Sequence, residues 1–189
     1  MSRVYLDTNI LISGPKYPEH DKLKQLVRSQ KISLFNSYHT DIEQHGKVTP
    51  ARRKRDLTLN DLYKSEEKFM EFKKADAEYD TALEAEKIEI EYWAEAKVYP
   101  TMSTFDALVP YYHLGIIPDF KQEMPLFNDL VEIHKMSAGD AFHVMSAHSA
   151  VMDYLLTWDQ KSLINKCKNI AWIKPKVMTP KDFLLTVNL

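Results

Sequence analysis

Residues 4–9, with the sequence VYLDTN, decide the fold of this 189-residue chain. Three apolar residues, rich in β-branched and aromatic side chains, are followed directly by an aspartate, a threonine and an asparagine. This pattern predicts a buried strand that ends in polar turn-forming residues. The same arrangement returns near the end of the chain, where residues 154–157 (YLLT) precede Trp158 and Asp159. Each of these two predicted strands therefore has an acidic side chain at its carboxyl end.

Strands and helices alternate on both sides of the middle of the chain. The spacing of apolar residues predicts strands at 4–6, 32–35, 154–157 and 171–173, and helices at 21–30, from Ser37, and at 126–134, 137–151 and 160–168. Such alternation predicts an α/β fold with a parallel central sheet and helices on both of its faces. This is a three-layer α/β/α architecture.

The middle of the chain has a different composition. Residues 51–99 contain neither glycine nor proline and are rich in Glu, Lys and Ala, which is typical of helices. We interpret them as a helical hairpin, because a single helix of that length would be exposed on too many sides. Residues 100–125 contain four prolines and one glycine, which predicts short helices and loops. The chain is therefore interpreted as one domain, 1–189, with a helical insertion at 51–125.

Composition and charge narrow the class of protein. The 25 basic and 27 acidic side chains give a net charge of −2, which excludes a general basic coat for nucleic acid but not a local basic patch. One such cluster is Arg52-Arg53-Lys54-Arg55, which is either a phosphate-contacting patch or a solvated helix start. The single cysteine, Cys167, excludes an intrachain disulfide. Without a bilayer-spanning segment or a signal-peptide core, we expect a cytoplasmic protein that does not contact membranes.

Acidic side chains stand at predicted strand ends and helix starts. Open α/β sheets bind their ligands at the carboxyl ends of the strands, where Asp7 and Asp159 are expected. Both are also good helix N-caps, and Asp140 forms a capping box with Ser137, so each has a purely structural interpretation. Glu43, in the helix after the second strand, also suits a solvated helix face.

Taken together, the motifs around these acids resemble those of the PIN-domain nucleases. The motifs are residues 7–9 (DTN) behind a strand, residues 140–143 (DAFH) at the start of an amphipathic helix, and residues 155–159 (LLTWD). Residues 40–43 (TDIE) resemble the second acidic motif of the family, and residues 180–184 after the last strand resemble its C-terminal end. The resemblance covers about residues 1–50 and 126–189.

The resemblance implies an acidic pocket that binds Mg²⁺ or Mn²⁺ and a metal-dependent hydrolysis of phosphodiester bonds in RNA. The implied catalytic residues are Asp7, Glu43, Asp140 and Asp159, and the implied metal ligands are Asp7, Asp140 and Asp159. Asn9, Thr157 and His143 are assigned supporting roles. The Thr157 hydroxyl would orient water or a carboxylate, and His143 either supports the site or is a packed helix histidine.

The resemblance also implies partners. A small endoribonuclease of this kind is plausible as the toxin of a toxin–antitoxin pair, with an antitoxin segment laid across the acidic groove. A stand-alone nuclease stays open as well, because such toxins are usually shorter than this chain. The aromatic stripe within 62–93 predicts a homodimer if it is exposed.

The chemistry of such a cluster follows from the residues themselves. Hard divalent cations prefer oxygen ligands, and converging carboxylates repel one another unless a cation lies between them. A metal-activated water then needs no side-chain nucleophile. This agrees with a sequence that has no Ser-His-Asp or Cys-His pattern.

Other assignments are weaker or stay as alternatives. Asp106 and Asp119 compete with Glu43 for the second acidic position. An aspartyl-phosphate enzyme is disfavoured, since Asn9 stands where that chemistry needs a second acid. With four glycines in the chain there is no Gly-rich phosphate loop. A non-catalytic RNA-binding or protein-interaction module is the main alternative to an enzyme.

Overall fold

The computed structural model describes residues 1–46, 48–101, 105 and 123–187. Its strands are β1 (Ser2–Leu6), β2 (Ile32–Asn36), β3 (Tyr99–Pro100), β4 (Tyr154–Leu156) and β5 (Lys176–Met178). Within the described residues these strands form one all-parallel sheet in the order β3-β2-β1-β4-β5. The predicted α/β class with a parallel sheet is confirmed.

Helices occupy most of the connections between the strands. They are α1 (Thr8–Leu11), α2 (Pro18–Arg28), α3 (Tyr38–His45), α4 (Val48–Leu59), α5 (Glu66–Ala94), α6 (Met124–Asn128), α7 (Ala138–Ser149), α8 (Asn165–Cys167) and α9 (Pro180–Thr186). A short 3₁₀ turn covers Gly14–Lys16, and π-helical turns cover Asp129–Ile133 and Gln160–Ile164. Among these helices, none combines the length and the apolar character that a bilayer crossing requires.

The central strand β1 is buried on both faces. Tyr5 packs into a cluster that contains one side of α7, whereas Val4 and Leu6 pack into a second cluster with residues of α2, α5 and α9. Helices therefore cover the two faces of the sheet, an arrangement compatible with three layers. A strand buried on both faces reads as a continuous apolar run rather than an alternating one, which is why residues 4–6 could be recognised.

The strand order places a topological switch point beside β1. The chain passes from β1 to β2 on one side, and later reaches β4 on the other side. Leu6 pairs with Leu156, and the backbone N–H of Asp7 donates to the Leu156 carbonyl at 3.0 Å. Open α/β sheets bind ligands at such a point, outside the carboxyl ends of the two diverging strands.

The predicted last strand at 171–173 is wrong. The strand is Lys176–Met178, paired with β4, and residues 171–173 form a turn in which the Ile173 N–H donates to the Ile170 carbonyl. Trp172 explains the error, because it packs against the core and its indole N–H donates to Asp129 at 3.1 Å. Trp172 is apolar because it is packed in a turn, not because it lies in a strand. Residues 180–184, whose sequence resembles the C-terminal end of PIN-domain nucleases, begin the helix α9.

The predicted helical hairpin is confirmed, since α4 and α5 pack against each other. The hairpin lies in the connection between β2 and β3, which are neighbours in the sheet. Trp93, near the end of α5, is buried in the same cluster as Leu6, and Phe105 is buried in the Tyr5 cluster. The segment 51–125 therefore contributes side chains to the core of the domain.

Candidate metal centre

Asp7 lies at the switch point and is 6% exposed. It occupies the N-cap position of α1, but its side chain makes no capping hydrogen bond. One carboxylate oxygen, Oδ2, accepts hydrogen bonds from Asn9 Nδ2 and Thr157 Oγ1, each at 2.6 Å. The capping interpretation of Asp7 is therefore wrong for its side chain. Its carboxylate belongs to a polar network that joins the ends of β1 and β4.

Asn9 and Thr157 hold this network in place. The Asn9 amide donates to Thr157 Oγ1 at 2.9 Å and accepts from the Trp158 backbone N–H at 3.0 Å. Thr157 Oγ1 also accepts from the Asp159 backbone N–H at 2.9 Å. Because the hydroxyl proton is donated to Asp7, Thr157 orients a carboxylate in this structure, which is one of the two roles predicted for it.

Asp159 and Asp140 each start a helical turn near Asp7. Asp159 accepts from the Ser162 backbone N–H at 2.7 Å, so its predicted capping role is present. Asp140 lies in the first turn of α7, whose N-cap Ser137 accepts from the Asp140 backbone N–H at 3.1 Å. Capping occupies one oxygen of Asp159 and leaves the other available as a ligand.

The pKa of Asp140 responds to the charges of two other predicted site acids. Burial raises the pKa of Asp140, and the negative charges of Asp159 and Asp7 raise it further, against an opposing hydrogen bond from Ser137 and the charge of His143. Mutual repulsion of this kind is what a bound cation relieves. The charges of Asp7 and Asp159 therefore act on Asp140, but among the described residues the ligand atoms that lie within 4.8 Å of one another belong to His39, Glu43 and His143, and not to the three aspartates.

Glu43 lies on α3, which begins with a capping box between Ser37 and Thr40. Its two carboxylate oxygens have different partners. Oε1 is 3.0 Å from His39 Nε2, and Oε2 is 2.9 Å from His143 Nε2. The Thr8 hydroxyl donates a short hydrogen bond to Oε2. Burial alone would raise the pKa of Glu43, but the hydrogen bonds from these groups hold it well below its usual range, so Glu43 is ionised.

His143 connects Glu43 to Asp7. It is 2% exposed, and its Nε2 lies 3.2 Å from Asp7 Oδ1 in addition to its contact with Glu43. On the other side of the ring, Nδ1 is 2.8 Å from the Tyr5 hydroxyl, which donates its own proton to Ser37 Oγ at 2.7 Å. His143 Nδ1 is therefore the donor to Tyr5, and Nε2 faces the carboxylates. His143 is a packed helix histidine that also contacts two of the predicted acids, and its supporting role stays a prediction.

Three residues of the site were missed by sequence reasoning. His39 and Glu43 are four residues apart on one face of α3, a spacing that places side chains side by side and that could have been noticed. Thr8 gave no signal beyond its turn-forming character. Tyr5 was recognised as a strand residue, and its buried hydroxyl could not be inferred from an apolar pattern.

The basic cluster lies on α4 and is largely paired within the hairpin. Lys54 contacts Glu78 at 2.5 Å and Arg52 contacts Asp56 at 3.8 Å. Arg55 also contacts Asp56, at 2.9 Å, and its guanidinium lies over the Tyr79 ring at 4.2 Å. Arg53 is on the same helix. These pairs favour a structural role at the hairpin, while phosphate contact stays a prediction. Asp106 and Asp119 lie outside the described residues.

The His143–Glu43 pair predicts a pH optimum for the stability of the metal-free protein. Glu43 stabilises the fold above its ordinary pKa of 4.5, and this contribution is lost as the pH falls towards its lowered pKa. Burial lowers the pKa of His143, but the charges of Asp7, Glu43 and Asp140 outweigh it and raise the pKa above 6.5. The histidine contribution is complete below pH 6.5 and is lost as the pH rises through the raised value.

Both contributions are therefore present between pH 4.5 and 6.5. In that window we expect Glu43→Gln to lower the free energy of unfolding by about 1.5–3 kcal/mol, the usual value of a hydrogen bond to a charged group. The loss of unfolding free energy should be smaller below pH 4.5 and above pH 6.5. Urea unfolding in EDTA across pH 4–9 measures this, and a Glu43→Gln effect that is constant over the whole range contradicts it.

Comparisons with protein-family models, with curated proteins and with solved structures find no match to this chain.

Proposed function

We propose that this protein is a divalent-metal-dependent endoribonuclease that hydrolyses phosphodiester bonds at the carboxylates of Asp7, Glu43, Asp140 and Asp159. The buried Asp7 side chain is the observation that carries the proposal. It lies at the switch point of a parallel sheet, its side chain makes no capping hydrogen bond, and its charge acts on Asp140 together with that of Asp159.

The donor set suits the ion that this function needs. Asp7, Asp140 and Asp159 offer carboxylate oxygens, which are the ligands that Mg²⁺ and Mn²⁺ take in proteins. When bound there, such an ion supplies polarisation of the scissile phosphate and a lower pKa for the attacking water. The repulsion that raises the pKa of Asp140 supports a cation at this position.

The residues around the acids fix the orientation of the reacting groups. Asn9 and Thr157 hold Asp7 Oδ2, so that Oδ1 points towards His143. His143 and Glu43 together hold a proton beside Asp7, on the side opposite to Thr157. Hydrolysis adds water to phosphorus and breaks one P–O ester bond. Side chains that are already held in place reduce the cost of orienting the water and the phosphodiester.

RNA as the substrate, and an antitoxin as a partner, are proposed from the resemblance to PIN-domain nucleases. Homodimer formation is proposed from α5, where Phe69, Met70, Leu83, Ile88 and Ile90 are exposed apolar side chains. The chemistry of the acidic group applies to any phosphodiester, so RNA and DNA substrates must be compared directly.

A non-catalytic RNA-binding or protein-interaction module is the second candidate. The observation that favours it is that both carboxylate oxygens of Glu43 are already bound by histidine and threonine side chains. Contacts of this kind within the protein also suit a structural role for Glu43.

Cleavage of fluorophore-quencher oligonucleotides separates the two candidates. We expect cleavage of single-stranded RNA with Mn²⁺ or Mg²⁺, no cleavage in EDTA, and slower cleavage of DNA of the same sequence. Binding of the RNA without cleavage under every metal condition would support the binding module instead. Cleavage that persists in EDTA would contradict the metal-dependent mechanism.

A further inference from the structure

We propose that His39, Glu43 and His143 form a binding site for a transition-metal ion, beside the aspartate group and distinct from it in its donor atoms. One ligand atom from each of the three residues lies within 4.8 Å of the others. The ligands of the neighbouring group are carboxylate oxygens, whereas this site offers two imidazole nitrogens. We call these three residues the histidine–glutamate trio.

The distances within the trio match those between ligands of one ion. Glu43 Oε1 is 3.0 Å from His39 Nε2, and Glu43 Oε2 is 2.9 Å from His143 Nε2. Ligands bound at about 2.0–2.2 Å from a common ion are separated by roughly 3–3.5 Å. Each imidazole faces a different oxygen of the same carboxylate, and one ligand atom from each residue lies within 4.8 Å of the other two.

The orientation of His143 is a second, independent observation. A histidine that binds a metal through one ring nitrogen almost always donates a hydrogen bond from the other, which fixes the ring and directs the free nitrogen. The Tyr5 hydroxyl, fully buried and anchored on Ser37, accepts this bond from His143 Nδ1 at 2.8 Å. Nε2 is thereby aimed at the other two members of the trio.

Gly139 provides a third observation. A Cβ atom on Gly139 would lie 3.1 Å from Glu43 Oε1, which is closer than ordinary contact, and 3.4 Å from His39 Nε2, which is at the lower limit of ordinary contact. The absence of a side chain at this position therefore leaves space at the ligand atoms themselves. Close approach of a backbone to a bound group is a common reason for glycine at a site.

The donor set selects the class of ion. Imidazole nitrogens suit Zn²⁺, Cu²⁺, Fe²⁺ and Ni²⁺, whereas Mg²⁺ and Mn²⁺ prefer oxygen ligands. His39 and His143 are buried, at 5% and 2% exposure, and the Glu43 side chain is the partly exposed member. An ion would therefore enter from the side of Glu43. This inference does not rest on the proposed nuclease activity, because it concerns binding alone.

Zinc binding to the full-length, metal-free protein tests the site. By isothermal titration we expect one Zn²⁺ bound through the trio, and a loss of affinity of at least about 10-fold in His39→Gln. His148→Gln is the matched control, because His148 lies on α7 but its ring packs against Trp172 at 5.2 Å. We expect that variant to bind zinc as the wild type does.

Imidazole ¹⁵N spectra of the wild type keep the test independent of variant folding. On addition of one equivalent of Zn²⁺, the Nε2 signals of two of the seven histidines should move to the chemical shifts of metal-bound nitrogen. No zinc binding by the wild type, unchanged affinity in His39→Gln, or fewer than two shifted histidines would overturn the site. None of these readouts uses RNA cleavage, so an inactive protein that passes them refutes the nuclease proposal and not this one.

Discussion

Asp7→Asn is expected to lower the rate of metal-dependent RNA cleavage by at least about 100-fold. Replacing groups that merely orient a metal ligand typically costs 10–100-fold in activity or affinity, and Asp7 is proposed as a ligand itself. The substitution keeps the size of the side chain, and its amide can still accept the hydrogen bonds from Asn9 and Thr157. The negative charge is removed while most of the packing is retained. Initial rates with saturating Mn²⁺ measure the effect.

Asp80→Asn is the matched control for this experiment. Asp80 is an exposed acid on α5, and its replacement makes the same chemical change outside the candidate site. Its cleavage rate should stay within about twofold of wild type, since surface substitutions away from special features have small effects. Circular dichroism establishes that both variants are folded. A folded Asp7→Asn protein with wild-type activity would eliminate the proposed site.

Mn²⁺ is expected to raise the melting temperature of the wild-type protein by about 5–10 °C. A ligand at 100 times its dissociation constant stabilises the folded state by about 2.7 kcal/mol, and 1 kcal/mol corresponds to about 2–4 °C in a protein of this size. The shift should be large here because the ion also relieves the repulsion between Asp140 and its acidic neighbours. Differential scanning fluorimetry with increasing Mn²⁺ measures it.

The same titration on Asp7→Asn should give a shift of less than about 2 °C, with Asp80→Asn again as the control. We expect metal-free Asp7→Asn to lose at most about 1–2 kcal/mol of stability relative to the wild type. The loss stays small because the substitution removes one of several charges that repel one another. Equal shifts in wild type and Asp7→Asn would show that the ion binds elsewhere.

Much of the sheet could be predicted from the sequence. Residues 4–6 and 154–156 are apolar runs buried on both faces, and a polar residue follows each where the sheet ends. Strand order could not be predicted, because β3 is two residues long and its pairing with β2 depends on tertiary contacts. Trp172 produced the one misplaced strand, since an apolar residue in a packed turn carries the same signal as a strand residue.

The candidate site was predictable where its residues follow strands and less so elsewhere. Asp7 and Asp159 follow β1 and β4, which are neighbours in the parallel sheet, so their position at the same edge of the sheet follows from the fold. Glu43 and His39 lie on α3, whose orientation is set by packing against α1 and α7. The spacing of His39 and Glu43 places them side by side on α3, but nothing in the local sequence fixes which way that helix faces, so their contact with His143 could not be predicted.

The helical hairpin of α4 and α5 offers an attachment point for labels, away from the candidate site. Helix α5 has 29 residues and a length of about 43 Å. Arg55 stacks on Tyr79 partway along it, and the N-terminal end of α5 lies about 20 Å from Tyr79 along the helix axis. Trp93, at the other end, fastens it to the sheet. A dye, an affinity peptide or a surface tether attached at residues 60–65 would thus stand clear of the carboxylates. Immobilised or labelled protein prepared in this way should retain whatever chemistry the untethered molecule performs.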